Sequence, residues 1–329
     1  MANFMENSNN SNNQLQSFIS TLKPLALVLL ALLIILALPL ILQEFGFNFS
    51  QKDNLSKISP ETETPINSSD SQILFSQVNP EEGYTIKAKY GNIGPKLLES
   101  GAIDFEKFKD IYARSGSPLT EEQIKILTQG ADKEITVNQD NAHFLLNFFW
   151  ALGLANKNPI LDKGAITKYG QDQIGSFAST GGWTIGTKDT MDFYSKSEII
   201  LLNPEQQAKV DEVTNNVFRP CCNNSTAFPD CNHGMALLGV LELMAANDAS
   251  VSEMYEAAKY FNGFWFPQQY FDLALYFKAK DGLDFKDVDP KIIVGPEYSS
   301  GSGFAKTKKW LSDNNLIEKA PQGGGSCGV

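Results

Sequence analysis

RPCCNNSTAFPDCNHGMALLGVLELM, residues 219–244, divides into two parts with different physics. The later part continues to GMALLGVLELMAAN (234–247) and carries a single charge, Glu242. A helix apolar on nearly every face has no side to turn to water, so it belongs inside a domain whose other elements wrap it. Gly234 and Gly239 would let neighbouring backbones come close to it. The earlier part is polar. It gathers Cys221, Cys222, Cys231 and His233, three of the four cysteines and one of the two histidines in the chain. The expectation is a mainly α-helical, compact domain around a buried helix, with a donor-rich loop at the mouth of that helix.

The flanking sequence agrees with a helical domain with few short strands. NAHFLLNFFWALGLA (141–155) is a second strongly apolar helix. Asp104 can cap a helix that puts Phe105, Phe108, Ile111 and Tyr112 on one face. Thr120-Glu-Glu-Gln123 and Ser250-Val-Ser-Glu253 have the form of capping boxes, and Asn203-Pro204 gives an N-cap followed by proline at the first helical position. Pro267 interrupts the aromatic run FNGFWFPQQYFDLALYF (261–277), which predicts a kink or two segments packed around the central helix as core. A last short helix is expected over 303–314. EIILL (198–202) and KIIV (291–294) read either as strands or as buried connections.

Composition narrows the function. With 329 residues, 42% hydrophobic content and 22 Phe, the chain can build a core without disulfides. Its formal net charge is −11, and its only arginines are Arg114 and Arg219, so no basic stripe is present to neutralise phosphates and nucleic acid is excluded as the expected partner.

The run LALVLLALLIILALPLIL (25–42) has no charge between Lys23 and Glu44. At ~1.5 Å per residue it matches a hydrocarbon core of ~30 Å. It is longer than the apolar region of a cleaved signal peptide and no small-x-small site follows it. The expected organisation is a disordered polar N-terminus (1–22), a transmembrane anchor (23–43), a flexible Ser/Asn/Pro-rich linker (44–83), a helical globular domain (84–315) and a flexible Gly-rich tail (316–329) containing Cys327. Most of the protein follows the anchor, so a signal-anchor with a cytoplasmic N-terminus and an extracytoplasmic main domain at the cell membrane is the simplest topology.

Cys221-Cys222-x8-Cys231-x-His233 supplies three thiols and an imidazole, a full tetrahedral set for Zn or a choice of soft donors for Cu(I). Turn-forming Asn223, Asn224, Ser225, Pro229 and Asp230 between the halves allow the chain to fold back. Asp230 or Asn232 is placed to cap the following helix, and Arg219 could favour thiolate. Two other readings stay open. One of Cys221 and Cys222 could attack and Cys231 resolve, as in a thiol–disulfide redox protein. Alternatively, the cysteines could be disulfides stapling an envelope interaction protein, with Cys222 paired to Cys231 and Cys221 to Cys327. Met235 and Met244 are further sulfur donors by type, though their helical spacing suits core filling.

PCCNNSTAFPDCNHG followed by an apolar helix resembles the cysteine-rich motif of bacterial extracytoplasmic lipoproteins known by their PCYCGC signature. The likeness covers some twenty residues. The tyrosine and the second CGC cysteine are missing, the histidine follows rather than precedes the Asp-Cys pair, and there is no lipidation cysteine. The resemblance implies an envelope-exposed motif that holds metal through Cys221, Cys222 and Cys231.

No serine elbow, phosphate-binding loop, dinucleotide glycine pattern or HExxH occurs, so no catalytic residue or reaction is assigned and a binding protein is expected rather than an enzyme. His143 reads as a helix histidine, and Asp281, Asp284, Asp287 and Asp289 as a solvated acidic turn whose spacing does not fit a calcium loop.

Overall fold

Two apolar helices cross at the centre of the protein, in a computed structural model that describes residues 68–321. The helices, in chain order, begin with α1 (Ser68–Val78), α2 (Ile93–Glu99), α3 (Phe105–Arg114), α4 (Glu121–Gln129) and α5 (Ala142–Ala155). Next come α6 (Pro159–Lys163), α7 (Gly170–Ser176), α8 (Pro204–Asn216), α9 (Asn232–Ala246) and α10 (Val251–Trp265). The last are α11 (Pro267–Asp281), α12 (Pro290–Ile293), α13 (Pro296–Ser299) and α14 (Gly301–Asp313). Among the described residues the sheet has two antiparallel strands, β1 (Tyr84–Gly91) and β2 (Ala131–Val137), separated in the chain by α2, α3 and α4 and paired with Tyr84 opposite Val137 and Ile86 opposite Ile135.

The central pair is α5 and α9. Every residue of α9 from His233 to Ala245 is buried, and so is every residue of α5 except His143. Glycines set how closely they approach. A Cβ on Gly153 would lie 2.1 Å from the Met235 carbonyl oxygen, and one on Gly239 would lie 2.5 Å from that of Phe149. The two backbones are therefore in contact, and this crossing gives the rest of the fold its reference frame. Around it pack Phe261, Phe264, Trp265, Tyr270 and Phe271 from α10 and α11. Each such side chain contributes about 1.5–3 kcal/mol by leaving water.

The helix starts follow the sequence signals. The Asp104 carboxylate accepts from the Lys107 N–H, and reciprocal capping boxes form at Thr120/Gln123, Asn203/Gln206 and Ser250/Glu253. Pro267 ends one helix and begins the next, giving two segments rather than one kinked rod.

Several expectations need correction. Neither EIILL nor KIIV forms a strand. Ile199 and Ile200 are buried in an irregular connection, and Lys291–Ile293 belong to α12. The sheet instead uses YTIKAKYG, whose alternate residues Ile86, Ala88 and Tyr90 are buried while Thr85, Lys87 and Lys89 are exposed. The expected linker (44–83) overlaps ordered structure, because α1 buries Leu74, Phe75 and Val78 against the domain. The tail (316–329) is also partly structured. Glu318 accepts from Ser71, the Ala320 N–H donates to Gln268 Oε1 at 2.8 Å, and Ala320 is buried. The expected anchor (23–43), the N-terminus (1–22) and Cys327 lie outside the described residues. Among the described residues no helix is long and apolar enough to cross a membrane.

Glu242 sits on α9, fully buried, with Oε2 accepting from Asn156 Nδ2 at 3.1 Å and Oε1 without a partner. Burial raises its pKa well above the ordinary carboxyl range, opposed by the hydrogen bonds from Asn156 and Asn158. The folded chain thus binds this proton more tightly than the unfolded chain. The stability it confers is complete below the ordinary carboxyl pKa and is lost as pH rises through the folded value. Glu242→Gln should therefore flatten the decline of unfolding free energy above about pH 4.5 and be more stable than the parent at neutral pH. Denaturant melts of both chains from pH 4 to 8 check this, and parallel profiles would contradict it.

Candidate metal centre

The cysteine loop enters from Val217, at the end of α8, and leaves through Cys231, which is the N-cap of α9. The capping group is the sulfur itself: Cys231 Sγ accepts from the Gly234 N–H at 3.4 Å. Asp230 and Asn232, the caps expected from sequence, do other work. Asp230 binds Arg219 Nη2 at 2.9 Å and Asn224 Nδ2 at 2.7 Å, and Asn232 Oδ1 accepts from the His233 N–H at 2.9 Å.

Arg219 organises the loop from beneath. Its guanidinium is completely buried and donates to Cys231 Sγ at 3.0 Å, to the Asn224 carbonyl at 2.8 Å, to the Phe228 carbonyl at 3.4 Å and to Asp230. Gly234 makes room for it, since a Cβ there would lie 2.5 Å from Arg219 Cζ. The outer side of the loop is tied to α14, where the Gly301 N–H donates to the Cys222 carbonyl at 2.7 Å and the Ser302 N–H to Asn223 Oδ1 at 2.8 Å.

The fold brings together Cys221, Cys222 and Cys231, whose sulfurs all lie within 4.8 Å of one another. Cys221 Sγ and Cys231 Sγ lie 3.6 Å apart. All three are free thiols; Cys221 is exposed and the other two are partly buried. One ion at a metal–sulfur distance of about 2.3 Å could touch all three.

His233 is placed differently. Its ring is buried against Phe266 (centroids 4.3 Å) and Trp265 (5.9 Å), and neither ring nitrogen has a hydrogen-bond partner. It is not among the donors that converge within 4.8 Å. Burial holds its pKa down to about 4, opposed by the charge of Cys231 and assisted by that of Arg219. Met235 and Met244 are buried in the core. Asp284 pairs with Lys278 at 2.8 Å and Asp289 caps α12, consistent with an acidic turn.

The three sulfurs differ in charge. The Cys231 thiol is held well below the ordinary range, first by S–H groups of Cys221 and Cys222 donating to it and then by Arg219 and His233, with burial working the other way. Cys221 is pushed strongly up, first by its hydrogen bonds with Cys222 and Cys231. Cys222 is pushed up to about 11: its hydrogen bond with Cys221 lowers it, while Cys231 and burial raise it by more. Of the three sulfurs, Cys231, at the helix N-terminus, is the one whose surroundings favour the charged form.

Sequence reasoning found the thiols but missed what supports them. Arg219 looked like a neighbour of Cys221 by chain position, yet it contacts Cys231 across the fold. The contribution of α14 had no local signal. No family model, curated protein or solved structure matches the chain.

Proposed function

We propose that this protein binds a soft metal ion, zinc or copper, on Cys221, Cys222 and Cys231, from an extracytoplasmic domain tethered to the membrane by residues 23–43. The observation that carries the metal reading is the convergence of three free thiols within 4.8 Å on a loop fixed from below and above. Such a loop limits the entropy lost when an ion orders its ligands. The surroundings of Cys231 favour its thiolate form, and thiols that ligate an ion release their protons on binding. Outside the cytoplasm, ligation would also protect the thiols from oxidation. The membrane part of the proposal is supported by the uncharged run at 25–42.

The full-length chain, purified without chelator, should carry about one zinc or copper per molecule. Cys222→Ser and Cys231→Ser should each abolish stoichiometric metal. Saturation at 100 times Kd should raise unfolding free energy by about 2.7 kcal/mol, and a chelator should reverse this. A chain that holds no metal and shows no thermal shift with either ion defeats the proposal.

The 3.6 Å approach of Cys221 and Cys231 favours one second reading, a thiol–disulfide redox protein in which these two close. A thiol count that changes by two with the redox buffer, and is indifferent to metal, would support it instead.

A further inference from the structure

We infer that the ion this trio suits is Cu(I), held by three sulfurs alone, and that the exposed Cys221 is the edge at which copper enters and leaves. The inference rests on the metal-binding reading above and adds the identity of the ion and the coordination number.

The argument begins with the donor count. Among the described residues, no carboxylate oxygen or imidazole nitrogen joins the three sulfurs within 4.8 Å. A closed zinc site takes four ligands, whereas Cu(I) is selected by soft thiolates and is satisfied by three. The two nearby candidates for a fourth position are committed elsewhere. Asp230 Oδ1 is 3.9 Å from Cys222 Sγ, but that carboxylate already takes Arg219 on one oxygen and Asn224 on the other. His233 is held between Phe266 and Trp265. Its two orphan nitrogens make it, among the described residues, a donor that could join by rotating, so the experiment must be able to see it.

One buried cation lies beside the sulfurs. The Arg219 guanidinium lies 3.0 Å from Cys231 Sγ and is buried. It offsets the net negative charge that three thiolates around Cu(I) retain.

Exposure then separates the sulfurs. Cys222 and Cys231 are partly buried, and Cys222 is further fixed through its carbonyl to Gly301. Cys221 alone is exposed. An incoming thiol can bind copper as the Cys221 sulfur leaves. The copper–sulfur bond to Cys221 breaks as the new one forms, the proton of the incoming thiol passes to Cys221, and copper stays at +1 with no electron transferred.

The test titrates the reduced full-length chain anaerobically with Cu(I) delivered from a chromophoric chelator, and separately with Zn(II). X-ray absorption is recorded on each complex. One Cu(I) bound to three sulfurs with no nitrogen in the shell is expected, with tighter retention than Zn(II). His233→Phe keeps the ring packing and should leave Cu(I) affinity within about threefold, and Cys327→Ser, a control for the tail, should do the same. Cys222→Ser should lose more than the roughly 100-fold typical of outer-shell changes. Cys221→Ser should slow copper transfer to a competing thiol. Tighter Zn(II) binding, or a nitrogen in the shell that His233→Phe removes, overturns this inference while leaving the metal reading intact. Failure to bind either ion overturns both.

Discussion

Arg219→Met should lower the unfolding free energy by about 3–5 kcal/mol, the usual cost of leaving one member of a buried ionic network without its partner. Methionine keeps the aliphatic stem but ends short of the guanidinium, so the loss combines missing donors with a gap in a completely buried position. Methionine leaves the Asp230 carboxylate without its 2.9 Å ion pair, and the Asn224 and Phe228 carbonyls without their N–H donors. It also removes the 3.0 Å donor to the Cys231 sulfur. Lysine should rescue only part of the loss, because a single ammonium cannot reach acceptors spread around a planar fork. Chemical denaturation of the three metal-free chains, compared at equal m-value, provides the measurement. A methionine variant within about 1 kcal/mol of the parent would mean that the arginine is not structural. The same variant should raise the pKa of the Cys231 thiol, since it removes a cation that favours the charged form. This would be read as slower alkylation at neutral pH.

Gly153→Ala should be almost as damaging, at about 3 kcal/mol or more. One methyl group would have to occupy a position 2.1 Å from the Met235 carbonyl oxygen, and its neighbour there is backbone, which cannot swing aside as a side chain can. The helices α5 and α9 would have to separate along their whole crossing, opening the core on both sides. Gly239→Ala meets the Phe149 carbonyl oxygen at 2.5 Å from the opposite helix and should behave alike. The two changes should not add, because the first already forces the separation that the second requires. Gly175→Ala is the control. That glycine lies within α7, its nearest contact would be Met191 Cγ at 3.4 Å, and alanine should be neutral or slightly stabilising there. Thermal melts of the three variants decide the matter. Equal midpoints for Gly153→Ala and Gly175→Ala would show that the crossing yields easily.

Much of the fold could be read from local signals. Capping side chains act within one turn, so Asp104, Thr120, Asn203 and Ser250 announced their helices. The apolar character of 141–155 and 234–247 announced the central pair for an equally local reason: burial on all sides leaves no polar face. The strands were legible but misread. YTIKAKYG alternates with period two, whereas EIILL is merely apolar, and the uninterrupted run is an irregular connection that buries Ile199 and Ile200 and leaves Leu201 exposed. At the candidate site, spacing identified the three thiols that converge, but it could not set His233 apart from them. Whether a residue two positions after Cys231 faces the sulfurs or the core depends on where the helix begins, and here it begins one residue after that cysteine, with His233 turned toward Phe266. Arg219 was equally beyond local inference, since its partners are gathered by a loop that folds back on itself.

The cysteine loop is hydrogen-bonded at its base to α9 and along its top edge to the first residues of α14. It therefore works as a rivet through two layers of helix. Pulling the rivet should loosen the layer farther along the chain first, because the first two residues of α14 are hydrogen-bonded to Cys222 and Asn223. An ion seated on the sulfurs would thus be felt as slower amide exchange in Gly301–Asp313, in a helix that contributes no ligand of its own.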